Sequence, residues 1–142
     1  TLALLSRGEA IRVPQDNSRA TYAPVLKREH EKIDWSKPAE VIRNQIRGLN
    51  PWPGAYTELA GKGLKVWLSR RWQLEKSIDA NNKLIKIRQP GEVIGIIKDE
   101  GLLVQTGAGS LLLTEVQPTG KKRMPAVAFS RGYQICTGVV FG

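Results

Sequence analysis

Between residues 39 and 49, apolar side chains recur at three- and four-residue steps. Ala39, Ile42, Ile46 and Leu49 fall on one stripe, and Arg43 and Arg47 lie one turn apart on another face. The spacing predicts an amphipathic helix. Asp34 and Ser36 are side-chain acceptors just upstream, and Pro38 falls in the predicted first turn, where a missing N–H costs nothing. Gly48 and the Asn50-Pro51 step end the helix, because proline pushes the residue before it out of the α region. Trp52 follows, held between Pro51 and Pro53, and leaves the helix at a nearly fixed angle. Trp35 and Trp52 both read as packing residues that pin this helix to the rest of the fold.

Past residue 60 the period changes to alternation. Gly61-Lys62-Gly63 predicts a turn. Leu64, Val66, Leu68, Trp72 and Leu74 then alternate with Lys65, Trp67, Ser69, Arg71 and Gln73, giving an apolar strand face interrupted by Arg70 and a basic, polar face. Residues 84–88 are either another short strand or part of a long hairpin loop. Three more strands are predicted over 92–98, 102–106 and 110–117. Asp99-Glu100-Gly101 and Gly107-Ala108-Gly109 supply the turns between them. Residues 124–131 read as a short final helix, and 133–141 as a closing strand or ordered tail. One helix followed by at least five short strands with glycine-rich turns predicts a mainly β fold. Its form is a small OB-like β-barrel with an N-terminal amphipathic helix and a short C-terminal helix.

The first residues differ from the rest. Leu2, Leu4, Leu5 and Ala10 suggest the last turns of a helix whose packing partner lies elsewhere. Residues 11–20 are polar, contain Pro14 and lack periodicity, so they read as a linker. Tyr22, Pro24 and Leu26 are expected to begin the packing of a domain spanning 21–142.

With 142 residues, 41% hydrophobic and 25% charged, the chain fits one soluble domain of ordinary size with an arm. No apolar run approaches the roughly 20 residues needed to cross a bilayer, and no signal peptide is visible. Charge adds a functional clue. Twenty-two Lys and Arg against 13 Asp and Glu leave a net charge of +9. Residues 1–26 contribute +1 of this and residues 27–142 contribute +8. A domain with that surplus attracts polyanions, nucleic acid above all.

Catalytic chemistry is scarce. The single histidine, His30, sits between Glu29 and Glu31 in a charged segment and reads as a surface residue. The single cysteine, Cys136, has no partner for an internal disulfide, which fits a reducing cytosol, and reads as a buried, inert thiol. No zinc spacing, Walker loop, dinucleotide fingerprint or serine elbow occurs. Gly107-Ala108-Gly109 has the look of a phosphate loop but lacks the following helix, so it reads as a hairpin turn.

The basic residues are better candidates. Lys62, Lys65, Arg70, Arg71, Lys83, Lys86 and Arg88 form one group, and Lys121, Lys122 and Arg123 a second. Phosphates require ammonium or guanidinium groups held on a rigid scaffold, which barrel strands and loops provide. These ten residues are the predicted RNA contacts. Lys65, Trp67 and Arg71 are expected on one strand face, with Trp67 either covering the barrel or stacking on a base.

Four segments carry a family resemblance: IDWSKPAEVIRNQIRGLNPWPG at 33–54, KVW at 65–67, PGEVIG at 90–95 and LLLTEVQPTGKKRM at 111–124. Together, and in this order, they closely resemble the C-terminal domain of methionyl-tRNA formyltransferases, from about Thr21 onward. The resemblance implies an OB-like domain that docks initiator methionyl-tRNA in the cytoplasm. It further implies that residues 1–10 are a remnant of the catalytic N-terminal domain. In that family the Asn, His and Asp that move the formyl group from formyl-tetrahydrofolate lie in the N-terminal domain. The resemblance thus implies no catalytic residue, no cofactor and no metal site in these 142 residues. Two alternatives remain open: the C-terminal domain of another formyl-group enzyme (a sugar-nucleotide formyltransferase or formyl-tetrahydrofolate dehydrogenase), and a free-standing OB-like nucleic-acid-binding module.

Overall fold

A computed structural model describes residues 2–72 and 88–142. The element order is α1 (Leu2–Ser6), α2 (Ala39–Gly48), β1 (Tyr56–Leu59), β2 (Lys62–Trp72), β3 (Val93–Ile97), β4 (Gly101–Gln105), β5 (Ser110–Pro118), β6 (Met124–Pro125) and α3 (Ala126–Gly132). The strands form one antiparallel sheet in the order β1-β2-β5-β4-β3, with β6 paired to β5. The mainly β architecture predicted from alternation is present, with an amphipathic helix before the sheet and a short helix after it. No helix among the described residues is long and apolar enough to cross a membrane.

The sheet curls into a half-barrel, and its edge strands are joined by the tail. Val93 N–H donates to the Val139 carbonyl at 2.7 Å, while Gly142 and Glu58 exchange two backbone hydrogen bonds at 2.9 and 3.0 Å. Residues 139–142 thereby satisfy backbone groups on both β3 and β1, and on β1 the pairing of Tyr56 with Glu31 and Ile33 covers more of the edge. Phe141 is buried in this seam and stacks on Trp35, with ring centroids 6.1 Å apart. The Trp35 indole N–H donates to Thr57 Oγ1 at 2.9 Å, which satisfies a buried donor.

Helix α2 buries the predicted stripe: Ala39, Ile42, Ile46 and Leu49 join Leu64, Val66, Leu111, Leu113 and Val116 in the core. Its start departs from the prediction. Pro38 is the N-cap residue, with extended backbone, and no side chain caps the helix. Asp34 instead accepts from the Ser36 hydroxyl at 2.6 Å and the Ser36 N–H at 3.0 Å, closing a turn ahead of the helix. The Ala39 N–H donates to the Ala108 carbonyl at 3.0 Å, so the β4–β5 turn serves as the cap. This seating explains Gly107, where an added Cβ would lie 1.7 Å from the Ser36 carbonyl oxygen.

Two other expectations fail for packing reasons. Tyr22 and Leu26 are exposed, and burial begins at Ile33. Leu2, Leu4 and Leu5 of α1 are also exposed, which does not conflict with a packing partner that lies elsewhere. In β2 the alternation slips: the pairing shifts register between Val66 and Leu68, which leaves Trp67 as an extra residue opposite β5. Val66 and Trp67 are both buried, and Leu68, which alternation would bury, is 51% exposed.

Candidate nucleic-acid interface

The antiparallel pairing of β2 with β5 sets Leu64 opposite Pro118 and Lys65 opposite Gln117. That register brings the β1–β2 turn beside the loop that follows β5. The Thr119 N–H donates to the Gly63 carbonyl at 3.1 Å and fixes the two turns together. Lys62, Lys65, Lys121, Lys122 and Arg123 are consequently gathered at one end of the sheet, although 56 residues separate Lys65 from Lys121 in sequence.

Trp67 organises this end. It is only 5% exposed, and its indole N–H donates to Gln117 Oε1 at 3.0 Å. The Gln117 amide in turn donates to the Lys121 carbonyl at 2.8 Å, which fixes the backbone of the basic loop. The Arg123 guanidinium carbon stands 3.5 Å from the centroid of the Trp67 ring, and Lys65 Nζ stands 5.5 Å from it. Both are cation–π distances. Trp67 thus covers the sheet, and Arg123 covers the tryptophan in turn.

The segment after α2 closes the other side of the same cluster. Lys65 Nζ donates to the Pro53 carbonyl at 2.8 Å, and a Cβ on Gly54 would lie 2.8 Å from the Trp67 ring. Trp52, two residues earlier, is 82% exposed, which corrects its reading as a packing residue. Trp35 does pack as predicted. The exposed Trp52 is an aromatic surface that residue type alone did not separate from a buried anchor, although its two flanking prolines were a visible signal that the chain turns outward there.

The ten predicted contacts do not form one patch. Arg70 pairs with Glu100 and stands 5.6 Å from the Trp72 ring centroid. Arg71 lies 3.3 Å from Glu40, which also accepts Arg43 at 3.6 Å. At about 3.3 Å per strand residue, Arg71 is roughly 30 Å along β2 from Lys62. Arg88 is bound to Glu92 at 2.7 Å. Lys83 and Lys86 lie outside the described residues. By contrast, Lys62, Lys121, Lys122 and Arg123 are exposed and have no carboxylate partner among the described residues.

Among the described residues the sparse titratable chemistry offers no competing centre. His30 is exposed, and its Nδ1 accepts the Lys27 N–H at 3.0 Å. Cys136 is exposed rather than buried, which corrects its predicted environment, because the tail leaves α3 at this point with Ile135 turned inward. Among the described residues no group of three His, Cys, Asp or Glu side chains could hold a metal ion. Asp34 has its carboxyl held below the usual carboxylate range, first by the Ser36 hydroxyl and then by the Ser36 N–H, which donate to the ionised form.

Comparison with known proteins places this geometry in a family. Residues 25–134 match the model of the formyl transferase C-terminal domain. The methionyl-tRNA formyltransferase of Bacillus licheniformis is 51% identical over 129 residues, covering 90% of this chain and 37% of that protein. The methionyl-tRNA formyltransferase of Moorella thermoacetica is 47% identical over 142 residues, covering all of this chain and 42% of that protein. The chain therefore spans about two fifths of the length of the curated relatives it matches. Among solved structures, HypX from Aquifex aeolicus in complex with tetrahydrofolic acid superposes with a TM-score of 0.61 at 16% identity, over 96% of this chain and 22% of that one. At that identity the likeness concerns the fold. The curled sheet, the capped helix and the match over 25–134 lead to one assignment: the chain belongs to the formyl transferase C-terminal domain family.

Proposed function

We propose that this chain is the tRNA-docking C-terminal domain of a methionyl-tRNA formyltransferase acting in the cytoplasm. The whole protein would transfer a formyl group from formyl-tetrahydrofolate to the amino group of methionyl initiator tRNA. In this reading the chemistry belongs to an N-terminal catalytic domain, while residues 21–142 hold the body of the tRNA through its phosphates. Residues 1–10 end the catalytic domain, and 11–20 link the two.

The observation that carries the docking role is the convergence of Lys62, Lys121, Lys122 and Arg123, without carboxylate partners among the described residues, at one end of a rigid sheet. Cations held on ordered backbone position an RNA without reading its sequence. Paired Arg70, Arg71 and Arg88 would have to break an ion pair to do the same.

Binding of initiator methionyl-tRNA to the 142-residue chain, measured across a salt series, tests the reading. Binding is expected to be weak and to fall steeply with salt. Replacing Lys121, Lys122 and Arg123 together by alanine should flatten the logarithmic salt slope by roughly 0.7–0.9 for each phosphate left unneutralised. An unchanged slope would remove this cluster from the interface, and absence of tRNA binding would favour a formyl-group enzyme with a small-molecule substrate.

A further inference from the structure

Beneath the basic end lies a cavity of about 540 Å³ lined by Leu59, Lys62, Leu64, Lys121, Phe129 and Tyr133, among others. Its volume falls in the range of small-ligand sites, about 300–1,000 Å³. Its floor is aromatic: Phe129 is buried, and the Tyr133 ring packs against it with centroids 4.6 Å apart. Tyr133 itself lines the cavity and remains 43% exposed, so part of it is reachable by an incoming group. The rim is cationic, because Lys62 and Lys121 reach the cavity from two turns that Thr119 fastens together through the Gly63 carbonyl.

We propose that this cavity accepts a single unpaired nucleotide of the bound RNA, its base against Tyr133 and its phosphate held by Lys62 and Lys121. The proposal rests on the docking function above and extends it from phosphate contact to base contact. A flat apolar ring joined to an anion is the chemistry that an aromatic floor with an ammonium rim complements. Base–aromatic stacking tolerates any base, because each has a π-face, so the site would select unpaired nucleotides over paired ones rather than a sequence. Lys121 suits the role because its backbone is already tied to Gln117 and Pro118, which leaves only its side chain to be ordered.

The test compares a short poly-uridine strand with an RNA duplex of equal length, in matched salt, by fluorescence anisotropy with the 142-residue chain. Tyr133→Leu keeps an apolar neighbour for Phe129 but removes the stacking face, and it should weaken strand binding at least about fivefold while leaving duplex binding unchanged. Tyr133→Phe should retain strand binding. Unaltered strand affinity in Tyr133→Leu, with duplex still bound, would overturn the cavity's role and leave phosphate docking intact. An equal loss on strand and duplex would assign Tyr133 a structural part only and would also overturn the proposal. Failure of the unaltered chain to bind either RNA would instead refute the docking function on which the proposal stands.

Discussion

Arg123 stands over the Trp67 ring, its guanidinium carbon 3.5 Å from the ring centroid. The stack immobilises a cation on a surface that is itself buried and hydrogen-bonded. Less side-chain entropy then remains to be surrendered when a phosphate binds, which is the advantage of a pre-organised guanidinium fork over a free lysine.

Trp67 therefore serves two ends, and two substitutions separate them. Trp67→Ala should destabilise the chain by about 3–5 kcal/mol, as expected for truncating a buried large aromatic. Trp67→Phe keeps an aromatic face for Arg123 but loses the indole bond to Gln117, with an expected loss of about 1 kcal/mol from that bond plus a packing contribution. Urea denaturation with constant slope measures both. A Trp67→Ala chain as stable as the parent would contradict the buried position of the ring.

Arg70 and Arg71 provide the contrast. Each is ion-paired on the surface, to Glu100 and Glu40 respectively. Arg71→Ala should change stability by less than about 1 kcal/mol, as exposed pairs do. It should also leave tRNA affinity nearly unchanged, whereas Lys121→Ala weakens it. Parallel tRNA titrations of the two variants check this, and a larger loss in Arg71→Ala would move the interface towards the far end of β2.

Gly107 allows a sharper test of the hairpin seat. A methyl group there meets the Ser36 carbonyl at 1.7 Å, a backbone atom that can move only by displacing the turn that begins α2. Gly107→Ala should cost about 1–3 kcal/mol or more from overpacking. Gly120→Ala tests a different cost, because that glycine meets nothing within 4 Å but has a φ of +74°. Its loss should be limited to the penalty of placing a Cβ in the left-handed region, about 1–2 kcal/mol. Thermal unfolding of the two variants should rank Gly107→Ala as the less stable.

The Asp34 turn gives a pH dependence of known sign. The Ser36 donors lower the folded-state pKa, so the folded chain binds fewer protons there than the unfolded chain. The contribution is present above the unfolded carboxyl value of about 3.9 and is lost as pH falls through the folded value. Asp34→Asn should therefore flatten the acid limb of the stability curve below about pH 4. Acid titrations of parent and variant by circular dichroism measure this, and identical acid limbs would show that the turn also forms around a protonated carboxyl.

Much of this organisation was legible in the chain because it follows from period. The stripe of Ala39, Ile42, Ile46 and Leu49 is buried as its spacing predicts, and strands β3, β4 and β5 fall within about a residue of the segments expected between the glycine-rich turns, β4 and β5 being buried at consecutive positions rather than alternate ones. What escaped depends on long-range packing. The cap of α2 is the carbonyl of Ala108, 69 residues from Ala39, so local capping rules pointed to Asp34 and Ser36 instead. The bulge at Trp67 has no composition signal, yet it decides which face Leu68 occupies. Of the basic residues, those with a carboxylate across the fold could not be told from those without one. Arg71 and Lys121 look alike until the sheet brings Glu40 to only one of them.

The tail that joins β1 to β3 has a bearing on how the chain matures. Gly142 and Glu58 are 84 positions apart, whereas Tyr56 on the same strand pairs with Glu31 and Ile33, so only part of the β1 border depends on the tail. During synthesis from the N-terminus, Val93 on β3 keeps unmet backbone groups until residues 138–139 are made, and Glu58 on β1 until residue 142. A nascent chain stalled before that point would leave the β3 border and the Glu58 end of β1 adhesive, so the tail shields the stretches that earlier residues do not cover.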